Sequence, residues 1–235
     1  MPATSHLAIL QAHEMKPIMD VARAGGPLAF ALTAWCYEFG ARTAEPGLQL
    51  MKDVDMRIGR ARPAHLKAGK PPAWHMLMPF CREALPAWLA ARAALDLRPE
   101  QQPYLFPSRI TTGRCYTCAG SGQRPVLKRQ GKRRFSDSTV ECHHCGGTGV
   151  RWGVARQEVY TIVSGVLKKS RVDKSCQHPH VLRHSIITHL LDAGVSDKAV
   201  QDRVGHKQLS TTLEYARVTE SALAEVEAKM SKVYG

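Results

Sequence analysis

The sequence predicts an α+β domain that is mainly α-helical, carries a small antiparallel sheet, and is interrupted once by a cysteine-rich module. Three observations support this. Apolar residues recur at helical spacing over residues 5–40, in FCREALPAWLAARAALDL, and again from Arg156 onward. Short extended runs flank the Lys-Ala-Gly-Lys turn of ARPAHLKAGKPPAWHMLMP, as in a hairpin or three-stranded sheet. From Thr112 to Trp152 the apolar periodicity stops while glycine and cysteine become frequent.

In chain order, Gly25-Gly26-Pro27 breaks residues 5–40 into two helices, because glycine ends a helix and proline suits the first turn of the next. The second, PLAFALTAWCYEF, is apolar nearly all round and is expected in the core. Pro86 predicts a kink in the following helix, or a helix start just before it. QEVYTIVSGVLKKS is helical, and HPHVLRHSIITHLL (178–191) forms a further helix with Pro179 in its first turn and Gly194 at its end. Ser196 caps SDKAVQDRV, where Asp197 suits the helix dipole. TESALAEVEAKMSKVYG is amphipathic, with Leu223, Val226 and Met230 on one side.

The chain has 235 residues, of which 33 are Lys or Arg and 20 are Asp or Glu, for a formal charge of +13. Such a surplus favours a polyanionic partner, most simply nucleic acid. No run approaches the roughly 20 apolar residues of a bilayer span, and MPATSHLAILQAHEMKP does not read as a secretion signal. We therefore expect no membrane partner and a cytoplasmic, nucleoid-associated location. Seven cysteines, four of them in two close pairs, suit a metal in a reducing compartment better than disulfides.

CYTCAGSG and CHHCGGTG repeat the pattern Cys-x-x-Cys-x-Gly-x-Gly, with 23 residues between the second cysteine and the third. Cys115, Cys118, Cys142 and Cys145 can close a tetrahedron on Zn(II), and the glycines let the backbone amides turn toward the sulfurs. A closed four-sulfur site has no open position for chemistry, so the zinc is expected to be structural. His143 and His144 are expected to face outward, and Cys36, Cys81 and Cys176 to be small core residues. Between the knuckles, LKRQGKRRF carries five Lys/Arg in nine residues at the expected tip of a ribbon. It could track phosphates or remain a solvated loop. The knuckles resemble the cysteine-rich repeats of J-domain co-chaperones, but only locally, since no His-Pro-Asp signature precedes them.

On a helix His180 and Arg183 share one face, while Leu182, Ile186 and Leu190 point to the core, so the polar face is expected to be presented to a ligand. His-x-Leu-Arg-His, followed by Gly-His-x-x-x-Ser-Thr-Thr-x-x-Tyr ending at Tyr215, resembles the tyrosine recombinase (phage integrase) family. The resemblance extends upstream to Gly40, Arg42 and Glu45 in a Gly-x-Arg-x-x-Glu pattern and to Lys67 in HLKAGK. Insert aside, it covers nearly the whole chain, and it implies that family's DNA breaking-rejoining catalytic fold.

The resemblance implies a catalytic set of Arg42, Lys67, His180, Arg183, His206 and Tyr215. Phosphoryl transfer builds negative charge on two non-bridging oxygens, which Arg42 and Arg183 would hold. Tyr215, with a phenol pKa of about 10, must lose its proton as it attacks, and His180 would accept it. Lys67 would protonate the departing 5′-oxygen and His206 would donate to the phosphate. The 3′-phosphotyrosine link conserves the bond energy, so neither ATP nor a catalytic metal is needed. Glu45 is expected to orient a basic group, and Pro46 to disturb any helix there. His184 is expected to be a structural hydrogen-bonder; His189 has no assigned role.

The implied organisation is a catalytic domain formed by residues 1–111 and 153–235, with a zinc ribbon inserted at 112–152 and no amino-terminal core-binding domain. The implied partner is double-stranded DNA, bound by a homo-tetramer across two duplexes, with Val226 and Met230 anchoring the tail on a neighbour. Three rival functions are a type IB topoisomerase-like relaxing enzyme, a non-catalytic DNA-binding accessory protein, and a zinc-dependent co-chaperone.

Overall fold

The computed structural model describes residues 8–65, 73–108, 113–115, 118–126, 128–130, 133–142, 145 and 149–205. A 3-10 turn (Ala12–Glu14) leads into α1 (Met15–Ala24), and Gly26, at φ +98°, reverses the chain into α2 (Pro27–Glu38) with Pro27 in its first turn. α2 is buried on nearly every face and packs against α1 and against three helices that follow it: α3 (Pro79–Ala93), α4 (Arg156–Lys169) and α5 (His180–Asp192). That position explains its continuous apolar composition.

β1 (Val54–Asp55), β2 (Arg60–Ala61) and β3 (His75–Met76) form the expected antiparallel sheet in the order β1-β2-β3. α3 begins at Pro79 and runs through Pro86, so a start just before Pro86 is not what forms. The reason lies in another helix. The buried Glu38 carboxylate, at the end of α2, accepts the backbone N–H groups of Phe80 at 2.7 Å and Cys81 at 3.1 Å, satisfying amides that would otherwise be unpaired. The helix is capped there, and tertiary packing carries it past the one hydrogen bond that Pro86 removes.

The core centres on Trp35, whose ring meets Phe39 at 4.4 Å and Phe106 at 5.8 Å; Trp88 stacks on Phe106 and donates its indole N–H to the Leu105 carbonyl at 2.9 Å. Cys36, Cys81 and Cys176 are buried. α6 (Asp197–Val204) is capped by Ser196 as expected and docks on the end of α2, where Arg203 Nε donates to the Glu38 carbonyl at 2.8 Å.

The cysteine-rich stretch leaves the helical body through a paired neck. Ser108 N–H donates to Trp152 O at 2.8 Å, Pro107 bridges Gly153, and Val154 N–H donates to Phe106 O at 2.7 Å. Outward from the neck, β4 (Gly113–Arg114) pairs with β9 (Val150–Arg151), β5 (Gln123–Pro125) with β8 (Thr139–Glu141), and β6 (Lys128–Gln130) with β7 (Arg133–Phe135), all antiparallel. The ladders are nested, so β6 and β7 form the far end of the ribbon. Among the described residues no helix is long and apolar enough to cross a membrane.

Candidate active site

Arg42 stands on the segment leaving α2. Gly40 makes the turn at φ +55°, and a Cβ there would lie 2.9 Å from Val204 Cγ1, so both backbone conformation and space call for glycine. Three residues on, Glu45 folds back: its Oε2 accepts the Arg42 backbone N–H at 2.7 Å and its Oε1 the guanidinium at 2.9 Å. Glu45 thus orients Arg42, as expected of it. Pro46 opens a 3-10 turn (Pro46–Leu48), which is how the chain accommodates a proline at this point.

α5 carries His180 and Arg183. His180 opens on a cavity of about 910 Å³ lined also by Ala41, Arg42, Thr43, Ala44, His178 and Pro179, with Arg156, Gln157 and Tyr160 on α4. Arg183 differs from expectation. It is 1% exposed whereas His180 on the same helix is exposed, so the two are not presented together, and its Nη1 donates to the Gly40 carbonyl. That bond ties α5 to the turn two residues before Arg42. His180 and Arg42 therefore share one cavity, and Arg183 braces it through Gly40.

The electrostatics of His180 follow from this crowding. Burial, and then the charges of His184, Arg183, Arg42 and His178, all disfavour a second proton and lower its pKa to about 4. The imidazole is neutral at physiological pH and free to accept a proton. For Glu45, burial alone would raise the pKa; contact with the His65 imidazole and the charge and backbone N–H of Arg42 outweigh it and hold the carboxyl at about 2. A group depressed in this way contributes stability that is fully present above about pH 4.5 and is lost as pH falls toward 2. Any reaction that uses His180 as base should keep its rate as pH drops from 8 to about 5. A pH-rate profile measured under single-turnover conditions checks this, and an acid limb centred near 6.5 would contradict it.

His65 was not singled out from the sequence. Its side chain is 1% exposed, its Nδ1 lies 3.9 Å from Glu45 Oε2, and its ring lies against Gly205, where a Cβ would come within 2.5 Å of Cγ. It joins the Arg42–Glu45 pair to the end of α6. Only its place two residues before Lys67 could have drawn attention to it. Arg156, Tyr160 and His178 were likewise missed, because nothing in their spacing marks them. The two other histidines of α5 are both structural. His184 meets the His180 ring edge-on at 4.4 Å and has a backbone hydrogen bond with Ala8. His189, given no role beforehand, donates from Nε2 to the Leu10 carbonyl at 2.9 Å and so accepts the Tyr37 hydroxyl on Nδ1 at 2.8 Å. Lys67, His206 and Tyr215 lie outside the described residues, as do Val226, Met230, His143 and His144.

The four paired cysteines come together. Cys115 and Cys142 sulfurs are 3.9 Å apart, Cys118 and Cys145 sulfurs 3.8 Å, and all four lie within 4.8 Å of one another. These separations are far too long for disulfides and match the edge of about 3.8 Å that follows from Zn–S bonds of about 2.3 Å. The repeat is visible in the backbone. Gly122 N–H points at Cys118 Sγ and Gly149 N–H at Cys145 Sγ, while Cys115 N–H donates to Gly149 O and Cys142 N–H to Gly122 O, each at 2.8 Å. The glycines let the amides turn onto the sulfurs, as the sequence led us to expect.

The family model described as "Phage integrase family" matches residues 8–222. Tyrosine recombinase XerD of Listeria monocytogenes serotype 4b (strain F2365) is 37% identical over 103 residues, covering 44% of this chain and 32% of that protein. Tyrosine recombinase XerD of Bifidobacterium longum (strain NCC 2705) is 26% identical over 224 residues, covering 92% of this chain and 60% of that protein. The chain therefore spans between a third and three-fifths of the length of these relatives. Among solved structures, the XerA recombinase superposes with a TM-score of 0.64 at 21% identity, over 95% of this chain and 65% of that one, which establishes the fold.

Proposed function

This chain belongs to the phage integrase family, and from that membership we propose that it is a site-specific recombinase or integrase that cleaves and rejoins double-stranded DNA through a 3′-phosphotyrosine. The observation that carries the proposal is the convergence of Arg42 and His180 on one cavity, with Arg183 fixed to Gly40 beside them. The scissile phosphate binds in that cavity. Arg42 from its wall and Arg183 from its seat on Gly40 supply positive charge to the two non-bridging oxygens. His180, neutral at working pH, takes the phenolic proton as the Tyr215 oxygen attacks phosphorus. The bond to the 5′-oxygen breaks, and Lys67 protonates that oxygen as it leaves. His206 donates to the phosphate. Resealing runs the same steps backward from a new 5′-hydroxyl and needs no ATP.

Cys115, Cys118, Cys142 and Cys145 hold a zinc ion, whose role is to stabilise the inserted module at 112–152. The working assembly is a homo-tetramer on two duplexes, acting at the nucleoid, with Val226 and Met230 on the tail that docks on a neighbour. A duplex nicked near the cleavage position traps the covalent state, because the short fragment diffuses away. The wild-type protein should form an adduct stable to denaturant and Tyr215→Phe should form none. An equal adduct yield from both would overturn the assignment.

A further inference from the structure

The inserted ribbon is rooted at the wall of the phosphate cavity. At its base, Gly153 presses on the 3-10 turn that follows Glu45, so closely that a Cβ on Gly153 would lie 2.0 Å from the Gly47 carbonyl oxygen. Three residues later α4 begins, and its Arg156, Gln157 and Tyr160 line the cavity opposite Arg42. The root of the ribbon is thus joined to the cavity wall by a link of three residues.

Among the described side chains of β5 and β8 none is buried, and Phe135 and Val140 are 43% and 52% exposed. Residues 112–152 hold eight Lys/Arg and two acidic residues, so 41 residues carry +6 of the total +13. The charge is concentrated at the far end, where the register sets Arg129 directly opposite Arg134 and Gln130 opposite Arg133. Like charges facing across an antiparallel ladder destabilise it. A polyanion laid along the hairpin removes that penalty. β5 and β6 together supply six strand residues, about 20 Å of strand at about 3.3 Å per residue. A two-stranded ribbon of this kind fits a B-DNA major groove, about 12 Å wide.

We propose that the β6–β7 hairpin is a second DNA-binding element, which grips the duplex beside the cleavage position through phosphate contacts and holds it in the cavity. The proposal rests on the strand-transfer reading above only for where the DNA lies. Its test is binding. The full chain with Lys128, Arg129, Arg133 and Arg134 all replaced by Gln is titrated with a mixed-sequence 40-base-pair duplex by fluorescence anisotropy across a potassium chloride series. Each lost phosphate contact should lower the slope of log affinity against log salt by about 0.9, so the variant should lose up to about 3.6 in slope. The single variants Arg129→Gln and Arg134→Gln should each lose up to about 0.9, with unchanged melting temperature. An unchanged affinity and slope overturns the proposal, and does so even when the wild-type protein forms its covalent adduct. A reduced slope in a protein that forms no adduct supports the grip while removing the strand-transfer reading.

Discussion

Arg183→Gln is expected to lower the single-turnover rate of covalent adduct formation by about 10²–10³-fold, the usual effect of removing one preorganised donor from a developing oxyanion. The side chain is 1% exposed and its Nη1 donates to the Gly40 carbonyl, so the substitution also removes a donor from a buried acceptor. A loss of about 1–3 kcal/mol in folding stability accompanies it. The two effects can be separated. Arg183→Lys keeps the charge but not the fork of donors, so it should recover part of the stability while remaining slow. Chemical denaturation reports the first effect and adduct formation on nicked duplex the second. Full activity in a stable Arg183→Gln protein would reduce Arg183 to a brace for the Gly40 turn.

Removing the zinc proposed for the four-cysteine cluster should unfold the insert and spare the body. Cys115, Cys118, Cys142 and Cys145 form a buried cluster of their own, separate from the helical core around Trp35. A ribbon of this size buries too little apolar surface to fold unaided, and structural zinc in such modules contributes about 10–16 kcal/mol of apparent binding energy. Cys142→Ser, or a strong chelator, should therefore abolish stoichiometric zinc and open residues 112–152 to proteolysis. The fragments outside should stay protected and the main thermal transition should shift little. Retention of an intact, protease-resistant insert without zinc would refute the metal assignment.

Much of this was legible because local patterns determine it. The helix break at Gly25-Gly26-Pro27, the Ser196 cap, the three-stranded sheet and the doubled cysteine knuckles each depend on residues close in sequence. What could not be read depends on distant partners. Glu38 caps a helix that starts 41 residues later, which is why Pro86 does not mark the start of α3. His189 takes its partners from Tyr37 and Leu10, far away in the chain. Helical spacing put Arg183 beside His180 but could not show that Gly40, 143 residues away, would cover it. His65 matters only because Glu45 and Gly205 meet around its ring.

Peptide mapping of the covalent species trapped on nicked duplex DNA should recover a 3′-phosphate on the peptide that contains Tyr215, at the phenolic oxygen. A nucleotide attached to any other residue would remove Tyr215 as the nucleophile.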